Sequence, residues 1–171
     1  MIPDGHRWLI LTRHAKSDWD HPDLADHDRP LNQRGRRAAA ELGRWLASRD
    51  YLPDEVLCSS ARRTAETWER LAPQLAHAPK PKYLRRLYHA EPEAMLAALR
   101  SAEGRVVMML GHNPGVAKFA AMLPSRPPPN AGFARYPTAA TLVVDFQIAS
   151  WDGLVPGTGS VLDFFLPERP A

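Results

Sequence analysis

Two short apolar runs, Trp8-Leu9-Ile10-Leu11 and Val106-Val107-Met108-Met109-Leu110, each lead into a histidine, and this repetition constrains the fold more than any other feature. Both are continuous rather than alternating, the pattern of a strand covered on both faces. The first continues into Arg13-His14, and the second into Gly111-His112-Asn113-Pro114-Gly115. Between them Val56-Leu57-Cys58-Ser59-Ser60 reads as a shorter strand that opens a helix carrying Arg62-Arg63. An isolated Arg-His pair is ordinarily a surface feature. In an open α/β sheet, however, ligands collect at the carboxyl ends of the strands. The three strand ends can offer His, Arg and His to one site only if the strands are neighbours.

Helical patterns separate the strands. Apolar positions at Leu31, Ala38, Ala39, Leu42, Trp45 and Leu46 predict a one-sided helix over residues 31–48 with Asn32 as its cap. A second helix is expected over 61–75. A third begins near Pro92, a favoured first-turn residue, and stops before Gly104. A fourth follows Asn113-Pro114 and ends near Leu123. Such alternation predicts an α/β fold, a three-layer sandwich with a mainly parallel central sheet and helices on both faces. Residues 124–137 contain Pro127-Pro128-Pro129 and no period, so a loop is expected there. Runs at 141–146 and 161–166 read as late strands pairing antiparallel at a sheet edge.

The blocks Arg13-His14-Ala15-Lys16-Ser17-Asp18-Trp19, Asp28-Arg29-Pro30-Leu31 with Arg34-Gly35, Cys58-Ser59-Ser60-Ala61 leading to Arg63 and Thr67, Leu87-Tyr88-His89-Ala90, and Gly111-His112-Asn113-Pro114 stand in a fixed order through the first two thirds of the chain. On these residues the chain resembles the histidine phosphatase superfamily, and within it the SixA-type phosphohistidine phosphatases. It departs from the usual pattern at Ser60, where Pro is usual, and at Glu66, where Gln is common. The resemblance implies a phosphoglycerate mutase-like fold without the large cap of bigger relatives, and a site open to a macromolecular substrate.

At 171 residues the chain suits one domain spanning 1–171. Its 22 Lys and Arg exceed 19 Asp and Glu by three, which suits an anionic substrate and is too mild and scattered for nucleic acid. The single cysteine, Cys58, excludes an intramolecular disulfide and fits a reducing compartment. Within an apolar strand it reads as an inert buried thiol. With no signal-like amino terminus and no long apolar stretch, no membrane span and a cytoplasmic location are expected.

The residue types suit phosphoryl transfer. Arginine spreads phosphoryl charge over a planar, permanently charged fork, so Arg13 and Arg63 are the expected clamps. Neighbours on a helix point about 100° apart, so Arg62 and Arg63 cannot both enter, and Arg63 matches the family register. Neutral imidazole, with a reference pKa of about 6.5, makes His14 the expected nucleophile, forming a covalent phosphohistidine. His112 is expected to be cationic beside the phosphate and to act electrostatically on the transition state. Lys16 and Ser17 are further candidates for phosphate contact. Asp18, Glu91 and Glu93 are weak candidates for a general acid. His6, His21, His27, His77 and His89 lack metal-ligand spacing and read as surface or structural; Arg29 reads as structural, paired with Asp28 or another carboxylate. No metal and no cofactor are expected.

Lack of a clear acid motif bears on the substrate. An alkoxide, from an alcohol of pKa about 15.7, leaves only with a proton, whereas imidazole needs far less help. The expected activity is removal of phosphate from phosphohistidine on a protein. A small-molecule phosphomonoesterase with the same nucleophile and a non-catalytic phosphate-binding module are the alternatives, the latter disfavoured because Arg13, His14, Arg63 and His112 occur together.

Overall fold

The computed structural model describes residues 1–168. Six strands form one sheet: β1 (Arg7–Arg13), β2 (Glu55–Ser59), β3 (Lys82–Leu84), β4 (Val106–Gly111), β5 (Thr141–Phe146) and β6 (Ser160–Phe165), in the order β3-β2-β4-β1-β5-β6. The first four positions are parallel. The expected late pair is present, with β5 antiparallel to β1 and β6 antiparallel to β5. The sequence reading missed β3, because its three residues are too short and too exposed to show a strand period.

The two faces of the sheet follow from the alternation of side chains along each strand. Leu9 and Leu11 of β1 join Val107 and Met109 of β4 on one face, against Met95 and Leu99 of α3 (Pro92–Arg100) and Val116 and Phe119 of α4 (Gly115–Met122). Ile10 joins Met108 and Leu110 on the other, against Leu42 and Leu46 of α1 (Gln33–Ser48) and Trp68 and Leu71 of α2 (Arg62–Leu71). Each fully buried Leu contributes about 1.5–3 kcal/mol through water exclusion. The result is the expected three-layer α/β sandwich, with no large cap inserted. All four helices lie within the expected windows; Asn32 caps α1 by accepting the Gly35 N–H at 2.8 Å, and α2 ends at Leu71 in a 3-10 turn, Ala72–Gln74. Among the described residues no helix is long and apolar enough to cross a membrane.

Apart from a single bridge between Pro124 and Gly159, residues 124–137 form neither helix nor strand, but the loop is anchored. Tyr136, wholly buried with a left-handed φ of 47°, donates its hydroxyl proton to the Leu11 carbonyl and accepts the Leu142 N–H. These bonds tie the loop to β1 and β5 immediately behind the strand end that carries Arg13 and His14.

Candidate active site

Strand register brings the two histidines together. Arg13 is level with Gly111 across the β1–β4 ladder, so the next residues, His14 and His112, leave adjacent strand ends with their rings 5.3 Å apart. Both are buried, at 6% and 2% exposure. The His14 N–H bonds to the Gly111 carbonyl, and the Ala15 N–H donates to Thr67 Oγ1, whose own proton goes to the Arg63 carbonyl on α2. The nucleophile candidate is thus fastened to both β4 and α2.

The tautomer of His14 follows from its partner. Nδ1 lies 2.7 Å from the Ala15 carbonyl oxygen, which can only accept, so Nδ1 carries the proton and Nε2 keeps its lone pair. Burial pulls the His14 pKa down to about 3, the Ala15 bond opposing and the charges of Arg13, Arg63 and Arg29 adding to the fall. His14 is therefore neutral at pH 7.

His112 is neutral as well, whereas the sequence expectation is a cation beside phosphate. Burial lowers its pKa to about 2, helped by His14, Arg63 and His89 and opposed by Asp26. Its Nε2 lies 2.7 Å from Ser59 Oγ, and its Nδ1 is buried with no protein partner. Ser59 Oγ already accepts the Ala61 N–H, so its own proton is free for Nε2. That arrangement leaves the proton of the neutral ring on Nδ1, as a hydrogen-bond donor.

Arg13 and Arg63 are both drawn in, in different states. One Arg13 amino group donates to the Tyr136 carbonyl at 3.2 Å, and its buried Nε is unpartnered. Burial, then the nearby Arg63 charge, lowers its pKa. Arg63 is almost wholly enclosed, and its fork grips Asp26, with Nη1 on the backbone carbonyl at 2.7 Å and Nη2 on Oδ2 at 3.0 Å. Arg62 points away to Glu69, as the 100° separation requires.

Asp26, in a 3-10 turn between β1 and α1, had no signal in the sequence. Its Oδ2 also accepts from the Tyr88 hydroxyl and from His89 Nε2, the latter at 3.0 Å, and its Oδ1 accepts from Arg29. Burial acts to raise its pKa, but the bonds from Tyr88, Arg63 and His89 outweigh it and hold the carboxyl well below the usual range. Arg29 is structural, as expected, though paired with Asp26 rather than Asp28. His89, read from sequence as surface or structural, stands with its ring 5.2 Å from His112 on a backbone with φ 51°, while the Tyr88 ring meets His112 edge-on at 5.5 Å. The signal for this pair was its place within a matched block.

The remaining candidates lie outside this cluster or at its edge. Lys16 is exposed and lines a cavity with Arg13. Ser17 is buried, and its hydroxyl accepts from Arg29. Asp18 accepts from the Asp20 N–H and faces His21, Glu91 faces Lys118, and Glu93 sits in the first turn of α3. His6 meets Asp145, His27 meets Ser60 and Asp28, and His77 is exposed. Glu66, one of the two departures from the family pattern, accepts the Leu31 N–H and so braces the start of α1. Cys58 is buried in β2, and burial pushes its thiol up to about 12. Among the described residues no three His, Cys, Asp or Glu side chains are grouped to hold a metal ion.

Comparison with known proteins agrees with this geometry. The family model of the histidine phosphatase superfamily (branch 1) matches residues 9–88. A protein of unassigned function from Mycobacterium tuberculosis is 35% identical over 165 residues, covering 91% of this chain and 99% of that one. Two solved structures, both provisionally named phosphohistidine phosphatase SixA, superpose over 98% of this chain and 100% of theirs. The protein from Nakamurella multipartitia gives a TM-score of 0.79 at 27% identity, and that from Agrobacterium tumefaciens 0.76 at 26%. The chain belongs to the histidine phosphatase superfamily, in its SixA-type group, and is accordingly a phosphatase.

Proposed function

We propose that the protein removes phosphate from phosphohistidine on a protein substrate through a covalent intermediate on His14. The observation that carries this reading is the His14 tautomer, because a proton held on Nδ1 by the Ala15 carbonyl leaves Nε2 ready to attack phosphorus. As the P–Nε2 bond forms, the bond to the substrate imidazole breaks and its electron pair returns to the departing nitrogen. That ring leaves as neutral imidazole when its remote nitrogen carries a proton. Water then attacks phosphorus, the electron pair returns to Nε2, and the water proton passes to phosphate or solvent. Nδ1–H is in place before and after both steps.

Arg13 and the Nδ1–H of neutral His112 serve the phosphoryl oxygens, Arg13 through its charge and His112 as a buried donor. Arg63 joins them when the phosphoryl group competes with Asp26 for its fork. Lys16 acts beyond the phosphoryl group, at the substrate's edge. Two arginines make a metal unnecessary. Asp26, the carboxylate that pairs with Arg63 and His89 in this cluster, is held ionised and cannot protonate an alkoxide, which favours a P–N over an alkyl P–O substrate.

The test is turnover of a phosphohistidine peptide against a panel of sugar and nucleotide phosphates, with and without EDTA. The peptide should exceed the best monoester at least tenfold in kcat/KM, and EDTA should change nothing. His14→Ala should be inactive, and labelled substrate should leave acid-labile phosphate on His14. Label on Cys58 or a serine, or preference for an alkyl monoester, would refute the reading.

A further inference from the structure

A basic trench runs from the proposed phosphoryl seat along α1. Arg34, Arg37, Glu41 and Arg44 follow one another at spacings of three, four and three, so they form a single stripe on the helix. They line one side of a cavity of about 550 Å³ that begins at Lys16. A second cavity, of about 570 Å³, shares Lys16, Pro137, Thr138 and Leu166 with the first and adds Arg13 and Arg135. The two are therefore one depression with Arg13, the residue before the nucleophile, at one end. The stripe from Arg34 to Arg44 extends it by about 15 Å at the α-helical rise.

Lys16, Arg34, Arg37, Arg44 and Arg135 are all exposed. Among the described residues none of the five side chains has a carboxylate partner or a hydrogen-bond acceptor, although Arg29, Arg49, Arg62, Arg63 and Arg70 all do. Within the trench the carboxylates are Glu41 and Glu168, and Glu41 already accepts the Glu168 N–H. With Arg13 at its end, the trench holds six cations against two carboxylates, an excess of four. The lining of the trench is thus strongly basic beside the proposed site. Among the described residues no aromatic side chain lines either cavity, so they offer nothing on which nucleic acid bases could stack.

We infer that this trench docks an acidic segment of the phosphorylated protein, next to the phosphohistidine, and so selects among substrates. The inference rests on the phosphohistidine-protein reading above. Arginine forks on one stripe suit carboxylates spaced along one side of a peptide. Exposed pairs of this kind are individually weak and screened by salt, so the effect should be collective and should fall on KM.

The test uses the full chain and three substrates: a phosphohistidine peptide with three Asp on either side, the same peptide with Ser in place of Asp, and N-phosphoimidazole. At low salt the acidic peptide should exceed the neutral one about tenfold in kcat/KM, through KM, and the ratio should shrink below about threefold at 0.3 M salt. Arg37→Glu with Arg44→Glu should bring the low-salt ratio to about one or below, with N-phosphoimidazole turnover unchanged. Arg37→Gln with Arg44→Gln, checked by thermal melting, should lower the ratio partway and covers any folding defect of the reversed pair. Equal turnover of both peptides by the unaltered chain, or a ratio that survives both double variants, would overturn the docking surface. A single-stranded oligonucleotide that competes better than polyglutamate of equal charge would overturn it in favour of nucleic acid. No turnover of any of the three N-phosphoryl substrates would instead refute the phosphohistidine reading.

Discussion

Burial of two neutral histidines should make folding stability fall on mild acidification. His14 and His112 bind no proton in the folded state above about pH 4, their pKa values lying near 3 and 2. In the unfolded chain both take up a proton near pH 6.5. These folded-state values are depressed, so the contribution to stability is complete above the unfolded pKa and is lost as pH falls from 6.5 towards 3. At pH 5 an unfolded histidine gains about 2 kcal/mol from protonation, against about 0.2 kcal/mol at pH 7, so the pair costs roughly 4 kcal/mol of folding stability between them. Urea unfolding followed by the fluorescence of the five tryptophans at pH 7, 6 and 5 measures this directly. His14→Gln and His112→Gln should each remove about half of the pH dependence, and both together nearly all of the 4 kcal/mol. Parallel curves for the unaltered chain and the double variant would show that the two rings do titrate in the folded protein, and the neutral-nucleophile argument would fail.

Tyr136→Phe should cost about 3 kcal/mol, because the Leu11 carbonyl and the Leu142 N–H both lose a buried partner. In a chain of this length that lowers Tm by roughly 6–12 °C, and a shift under about 2 °C would refute it. Gly35→Ala would set a Cβ 2.0 Å from the Lys16 carbonyl oxygen and so push the segment that carries His14. Turnover should fall tenfold or more with helix content unchanged, and unimpaired turnover would show that this contact does not position the nucleophile. Asp26→Ala removes the anion that occupies Arg63. The inhibition constant of inorganic phosphate should fall severalfold, whereas a rise would mean that Asp26 supports anion binding rather than competing with it.

The strands that carry His14 and His112 were legible because their burial on both faces leaves a continuous apolar run, and α1 because its cap and stripe are local. Local signals could not reveal Asp26, because beyond its neighbour Arg29 its partners come from distant segments: Arg63, Tyr88 and His89. The environment of His112 was illegible for a related reason. Proximity to phosphate argues for a cation, but enclosure near Arg63, His14 and His89, which sequence does not display, removes the proton. Tyr136 was hidden by the prolines around it, since a loop without a period gives no hint that one ring is buried against β1 and β5.

The enclosed thiol of Cys58 has a consequence for cell stress. Peroxide attacks thiolate, and a thiol raised to about 12 inside β2 presents almost none at neutral pH. Phosphatases that work through a cysteine nucleophile are silenced when oxidants accumulate. If His14 is the nucleophile, as proposed above, a chain that hides its single sulfhydryl should keep its turnover under the same conditions. Under that reading, a phosphorylated substrate would go on being reset while cysteine-dependent signalling is arrested.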